Sequence, residues 1–242
     1  MYTLDTRVRY SETDENSLMT IDGILNLLQD CSTAQSDDLG VGIDYLVSHR
    51  QGWVVYYWQI DIRRRPRLSE IIRTGTNPYA FKGFMGLRNF AIETAAGERL
   101  VEANSVWSLL DLEHMKPVKV PDMMRERYVL GEKFDMEYLP RKIAAPAGEG
   151  QETESVAVSP YDLDSNRHAN NTRYVRWAIE AVTACAPGFH PAAIRRLQVE
   201  YKKQAFVGDE ILPRVYAGEN ADSFTIRLSN EAGEDYALVC LN

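Results

Sequence analysis

Two periods of hydrophobicity run through this chain, and the change from one to the other happens twice. Between about Thr20 and Gln35, the apolar residues Ile21, Ile24, Leu25, Leu28 and Cys31 recur at helical spacing, with Thr20 as a fair N-cap. A second helical stripe runs from about Asn171 to Ala186. It consists of Tyr174, Val175, Ala178, Ile179, Val182 and Cys185, and Pro187-Gly188 stops it. β-type sequence follows each helix. In the first half these are Trp53 to Ile62, Ile71 to Thr76, and Gly86 to Thr94 with Arg99 to Asp111 flanking the turn Ala95-Ala96-Gly97-Glu98. In the second half Leu197, Val199 and Tyr201 alternate. Glu210 to Tyr216, Ser223 to Ser229 and Tyr236 to Leu241 follow, the last two separated by the turn Asn230 to Glu234. The pattern predicts an α+β protein in which each half is one long helix laid across an antiparallel sheet, because such a sheet needs one face covered.

The halves repeat in residues as well as in pattern. Asp14 corresponds to Asp164, Ile62-Arg63-Arg64-Arg65 to Tyr201-Lys202-Lys203-Gln204, and Ala96-Gly97-Glu98 to Ala232-Gly233-Glu234. Three anchors in the same order indicate a duplication. The first half carries an extra stretch, Gly40 to Gln51, between its helix and first long strand. Glu137 to Glu154 is the expected boundary, since Ala144 to Gly150 is small, flexible and poor in apolar anchors. The reading is a first domain over 1–136, a linker over 137–154 and a second domain over 155–242.

Composition narrows the class. At 242 residues and 45% hydrophobic content, the chain can bury one large or two small cores. No apolar run approaches the ~20 residues of a membrane span. Met1 to Tyr10 alternates polar and apolar residues and lacks the regions of a signal peptide, so a cytoplasmic location is the expectation. Cys31, Cys185 and Cys240 lack metal-ligand or disulfide spacing, and the first two fall on apolar helix faces, which predicts buried thiols. A net charge of −8 argues against a nucleic-acid binder.

The densest chemistry lies in Asp162-Leu163-Asp164-Ser165-Asn166-Arg167-His168-Ala169-Asn170-Asn171, at the entry to the second helix. The counterpart, Glu12 to Thr20, keeps Asp14 and Asn16 but has Leu18 where the second copy has His168. Read on residue type alone, Asp164 and Asn166 suit turn caps. Titratable groups gathered at a helix entry also suit a site. His49, His114 and His190 have no such company. The aromatics Trp53, Tyr56, Tyr57, Trp58, Phe84 and Trp107 read as core.

The pattern D-x-N-x-H-x-N-N-x-x-Y, ending at Tyr174 and placed at the entry of a helix wrapped by a sheet, resembles the hotdog fold. The whole chain resembles the acyl-acyl-carrier-protein thioesterases of plants and bacteria, which are double hotdogs. Gly52-Trp53-Val54-Val55 with Arg63-Arg64-Arg65-Pro66, and Asn104-Ser105-Val106-Trp107, resemble that family's strands in the first half. Asp162 to Asn171 resembles its catalytic segment in the second. The resemblance implies a tandem hotdog with a non-catalytic, substrate-pocket first unit and catalytic Asp164, Asn166 and His168. It implies no metal or organic cofactor. The family also carries a glutamate in an E-Y-R-R-E-C-like stretch. Here that stretch is Glu200-Tyr201-Lys202-Lys203-Gln204-Ala205, so Gln204 stands at the glutamate position and Ala205 at the cysteine position.

The activity so implied is hydrolysis of acyl-carrier-protein thioesters to free fatty acid in fatty-acid synthesis. That chemistry needs a polarised carbonyl, an activated water and a protonated leaving thiol. A helix N-terminus offers unpaired N–H groups, so Asn170 and Asn171 are the expected oxyanion region. His168 can exchange a proton at neutral pH. Asp164 either activates water directly or orients His168. Gln204 can hold water but cannot accept a proton as glutamate does. Arg63, Arg64, Arg65, Lys202 and Lys203 are either solvated strand ends or a docking patch for the acidic carrier protein. An acyl-CoA thioesterase and a non-catalytic acyl-binding hotdog are the alternatives. A hydratase fits less well, since hydratases of this fold carry D-x-x-x-x-H, one residue longer than the Asp164–His168 spacing. A monomer or a homodimer is compatible with fused units.

Overall fold

A computed structural model describes residues 1–146, 148–164, 166–220 and 222–242. Ala147 of the expected linker, Ser165 of the polar segment and Ala221 lie outside the described residues. The chain forms two compact units, Met1–Tyr138 and Leu139–Asn242. Each is an antiparallel sheet carrying one long helix, the tandem hotdog arrangement.

The first unit runs β1 (Tyr2–Arg7), α1 (Ile21–Asp38), α2 (Ile43–Ser48), β2 (Gln51–Ile62), β3 (Ile71–Lys82), β4 (Met85–Thr94), β5 (Arg99–Asp111), β6 (Lys116–Pro117) and α3 (Asp122–Arg127). The sheet order is β1-β3-β4-β5-β2, with β6 pairing the end of β5 beyond the reach of β4. Thr20 caps α1 by accepting the N–H of Gly23 at 3.0 Å. All five residues of its expected stripe are buried against the sheet. Helix α2 fills the extra stretch after α1 and helps close a small core of Val41, Leu109, Val120, Met124 and Tyr128. The alternating Tyr2–Arg7 segment is a strand along β3, with Tyr2 opposite Thr76 and Arg7 opposite Ile71. Of the aromatics expected in the core, Tyr57 and Trp58 are fully buried. Tyr56 and Phe84 are exposed, because Tyr56 sits at a β-bulge and Phe84 in the turn between β3 and β4.

On the face of this sheet away from α1, four buried amides lie in register across four strands. Asn77 of β3 is opposite Asn89 of β4, Asn89 opposite Asn104 of β5, and Asn104 opposite Gln59 of β2. Three of them hold the irregular segment 129–138, while Asn104 accepts from the Tyr79 hydroxyl at 2.9 Å. Asn77 donates to the Glu132 carbonyl at 2.7 Å and Gln59 to the Glu137 carbonyl at 2.8 Å. The Asn89 side-chain oxygen accepts from the Phe134 N–H at 3.0 Å and the Tyr138 hydroxyl at 3.1 Å.

The second unit runs β7 (Gln151–Glu152), β8 (Val156–Ala157), α4 (Asn171–Cys185), β9 (Arg196–Tyr201), β10 (Glu210–Ala217), β11 (Phe224–Ser229) and β12 (Asp235–Leu241). Strands β9-β12-β11-β10 form the sheet, with β7 and β8 sharing the outer edge of β10. Within the stretch read as a linker, Ile143 is buried and Gln151–Glu152 are already a strand. Helix α4 buries Tyr174, Val175, Trp177, Ala178, Ala181 and Val182. Its apolar face is rotated slightly from the expected stripe, leaving Ile179 half-buried. Cys185 is also half-buried rather than buried, because it closes the last turn just before the chain leaves the sheet. Among the described residues no helix is long and apolar enough to cross a membrane.

Candidate active site

The polar segment folds as a tight loop organised by its own acids. A short 3₁₀ turn, Pro160–Asp162, opens it, and Asp162 accepts from the N–H and hydroxyl of Ser159 at 2.9 and 2.7 Å. Oδ1 of Asp164 accepts the N–H of Asn166 at 2.8 Å and of His168 at 3.4 Å. The Asp164 N–H donates to the His168 carbonyl at 2.8 Å, and Arg167 turns the chain with φ of 63°. The Ala169 N–H then donates to the Ala205 carbonyl at 2.8 Å, tying the loop to the segment after β9. The Tyr174 hydroxyl on α4 accepts the Ala205 N–H at 2.8 Å, so helix, loop and strand end meet at Ala205. Burial pushes the Tyr174 phenol well above its ordinary range, so this hydroxyl stays neutral.

The N-terminal copy reproduces this loop bond for bond. Oδ1 of Asp14 accepts the N–H groups of Asn16 and Leu18 at 2.9 and 3.1 Å. The Asp14 N–H reaches the Leu18 carbonyl at 2.9 Å, Ser17 takes φ of 59°, and the Met19 N–H reaches the Pro66 carbonyl at 2.8 Å. The strand ends match too. The N–H groups of Arg63 and Arg64 share the Leu100 carbonyl, and those of Lys202 and Lys203 share the Tyr236 carbonyl. This register puts Arg65 in the place of Gln204 and Arg67 in the place of Phe206.

What the copies share is scaffold, and what differs is chemistry. Leu18 is replaced by His168. The buried Arg65, whose Nη2 lies 2.8 Å from Oδ2 of Asp14, is replaced by the half-buried Gln204. Burial pushes the Asp14 carboxyl up, but the N–H of Leu18, the Arg65 guanidinium and the N–H of Asn16 together bring it below its usual range. In the second copy no hydrogen bond reaches Oδ2 of Asp164 among the described residues. The two oxygens of one side chain are therefore in different positions: Oδ1 builds the loop and Oδ2 is left without a hydrogen bond among the described residues.

Asp164, Asn166 and His168 share this loop, and the Ala169–Ala205 bond brings the residue before Ala205, Gln204, alongside. Asn166 is exposed, and the half-buried His168 ring packs against Phe206 with centroids 5.0 Å apart. At the helix entry the N–H of Asn170 donates to the Asp162 carbonyl, that of Thr172 to Oδ1 of Asn170, and that of Arg173 to the Asn170 carbonyl. Of the region expected to bind an oxyanion, these three donors are thus already in use.

The five basic residues divide differently from the expectation. Arg65 is 6% exposed and paired to Asp14, so it is no surface charge, and its part in a docking patch is corrected. Arg64 bridges Glu70 and Glu98, Arg63 faces Glu102, Lys202 pairs with Asp235 and Lys203 with Glu234. Thiol chemistry has no place here. Burial pushes the Cys31 thiol up to about 12 and raises those of Cys185 and Cys240, which keeps them protonated and unreactive. Among the described residues no cluster of three or more His, Cys, Asp or Glu is arranged to hold a metal ion. Sequence reasoning passed over Phe206. The signal was present in the repeat, where a cation at Arg67 aligns with an aromatic.

Two tandem hotdog units, one with a complete polar loop and one with the loop's imidazole missing, define the chain as a double-hotdog protein of thioesterase type. The model of the acyl-ACP thioesterase N-terminal domain matches residues 1–128, and that of the C-terminal domain matches residues 147–240. The chain belongs to the acyl-acyl-carrier-protein thioesterase family. It is 23% identical over 248 aligned residues to the chloroplastic oleoyl-acyl carrier protein thioesterase 2 of Arabidopsis thaliana, covering 93% of this chain and 65% of that relative, less than two thirds of its length. A Lactobacillus plantarum protein assigned as an oleoyl thioesterase superposes with a TM-score of 0.88 at 26% identity, over 99% of this chain and 94% of that one. An acyl-ACP thioesterase from Bacteroides thetaiotaomicron superposes with a TM-score of 0.84 at 22% identity, over 99% and 96%, a likeness of fold.

Proposed function

We propose that this chain hydrolyses acyl-acyl-carrier-protein thioesters, releasing a free fatty acid and the carrier's thiol. The observation that carries the reading is the division of labour at Asp164. With Oδ1 committed to the N–H groups of Asn166 and His168, Oδ2 is the oxygen that takes a proton from water as the water oxygen attacks the thioester carbon. Gln204 holds that water by hydrogen bonds without competing for its proton. Asn166, exposed at the tip of the loop, donates to the substrate carbonyl. As the C–S bond breaks, His168 returns a proton to the leaving sulfur, so carbonyl, water and thiol each have a partner. The Asn170–Asn171 helix entry adds its partial positive charge to the developing oxyanion. The first unit, whose loop lacks the imidazole and whose Asp14 is neutralised by Arg65, contributes no catalytic group in this reading.

The carrier is an acidic protein, so the exposed charges of Arg63, Arg64, Lys202 and Lys203 are the docking contacts in this reading. They are screened by their own carboxylate partners and therefore weak. A cytoplasmic setting without nucleic-acid or membrane partners completes the proposal. In the test, purified protein is offered acyl-carrier-protein and acyl-CoA substrates of several chain lengths and free thiol is followed. Release from the carrier-protein substrates, lost in Asp164→Ala and His168→Ala, is the expected result. Tight binding without thiol release from any substrate would make the chain an acyl-binding protein, and faster release from CoA would make it an acyl-CoA thioesterase.

A further inference from the structure

Among the side chains that differ between the N-terminal loop and the C-terminal one, three bear on the candidate site. His168 replaces Leu18 and Gln204 replaces Arg65. The third is Phe206 in place of Arg67, and the activity as read so far gives it no role. Leu18 and Arg67 are neighbours, paired by a backbone bridge. Their counterparts are neighbours as well: the rings of His168 and Phe206 lie 5.0 Å apart, edge to face at 84°. An imidazole that works on protons is ordinarily oriented by a hydrogen bond from its second nitrogen. Among the described residues no hydrogen bond reaches the His168 ring, and the Phe206 ring packs against it.

The aromatic is itself held rigidly. The Phe206 N–H donates to Oδ2 of Asp209 at 2.9 Å, and the Asp209 N–H returns to the Phe206 carbonyl at 3.0 Å. Gly208, at φ of 88°, closes the turn, and its N–H donates to the Val158 carbonyl at 3.0 Å. On the other side, the Ala169–Ala205 bond joins the residue after His168 to the residue before Phe206. A turn fixed at both ends thus presents a ring that is 48% exposed. Core packing does not account for that exposure, since burial would hide such a ring. Replacing Arg67 by Phe206 also withdraws a cation from beside the imidazole.

We propose that Phe206 is a positioning residue: its ring holds the His168 imidazole in the rotamer from which it delivers a proton to the leaving thiol. This inference rests on the proposed thioesterase reading. Its test pairs kinetics with a signal measured on substrate-free protein. Phe206→Ala is expected to lower kcat by about tenfold with KM within about twofold, the scale of one aromatic contact. Phe206→Tyr, which keeps the ring, is expected to restore kcat. In proton NMR, the His168 ring resonances are expected to carry a ring-current displacement that disappears in Phe206→Ala and persists in Phe206→Tyr. If the wild-type protein turns thioesters over, a Phe206→Ala variant with unchanged kcat and unchanged His168 resonances overturns the proposal. If the wild-type protein releases no thiol, the thioesterase reading fails, and the resonances alone decide whether Phe206 positions His168.

Discussion

Transplanting one residue from the N-terminal loop into the C-terminal one tests the logic of the duplication. In Gln204→Arg, the guanidinium takes the place that Arg65 holds against Asp14, where nitrogen and oxygen are 2.8 Å apart. At that separation and an effective dielectric of about 20, the Coulomb attraction is about 6 kcal/mol. Desolvating both ions cancels much of it, and a charge-assisted hydrogen bond keeps a net of about 1.5–3 kcal/mol. The same attraction makes Asp164 a weaker base, with its open oxygen occupied. Turnover should fall by at least about 100-fold, since both effects act on one step. Stability should move the other way, up by about 1–3 kcal/mol at neutral pH. The sign follows from linkage. The variant lowers the folded-state pKa of a carboxyl, so the gain is present above the unfolded value of about 4 and is lost as pH falls through the depressed folded value. Thiol-release kinetics and urea denaturation at pH 7 and pH 3.5 measure the two effects separately. A folded Gln204→Arg protein with turnover within twofold of wild type would refute the assignment of Oδ2 as the working oxygen.

Two further outcomes follow from the same comparison. Asp14→Ala strips the partner from a buried guanidinium and should cost about 3–5 kcal/mol, whereas Asp164→Ala gives up only loop hydrogen bonds at about 1–2 kcal/mol. Equal losses in urea denaturation would show that the Asp14–Arg65 pair contributes nothing. Gln204→Glu restores the residue expected at that position and should retain or raise thiol release, although burying a new carboxylate has a desolvation cost. A folded Gln204→Glu protein without turnover would contradict the water-holding role given to Gln204.

Periodic burial made both long helices legible, and Thr20 and Asn171 mark their observed starts to within a residue. The long strand β2 stood out by its Val, Tyr and Trp content, and β4 and β5 by flanking the turn Ala95 to Glu98. Segments whose structure depends on a partner did not stand out. β1 has only two apolar positions, Tyr2 and Leu4, and exists because the edge of β3 is open to it, and β7 and β8 are two-residue pairings on β10. Helices α2 and α3 are each six residues long, too short for a period to show, and the core they share with Leu109 is assembled from residues far apart in sequence. At the candidate site, residue types and spacing picked out Asp164, Asn166 and His168. They gave no hint that one carboxylate oxygen builds the loop and the other does not, because that depends on which N–H groups the turn brings round. Arg65 looked like part of a surface run with Arg63 and Arg64. The bend that follows β2 turned it inward to Asp14.

The row of amides beneath segment 129–138 has a consequence for how this protein tolerates change. Asn77, Asn89 and Gln59 grip carbonyls and an N–H, groups that nearly every residue possesses. Apart from the Tyr138 hydroxyl and the Met136 sulfur, which meet the Asn89 side chain, the sheet therefore reads where that segment runs rather than which side chains it bears. Gly131 is a further constraint, for a β-carbon there would fall 1.9 Å from the side-chain oxygen of Asn77. Positions without such contacts can drift in composition while the backbone stays pinned in place. Insertions beyond Tyr138 need not disturb the sheet that precedes them.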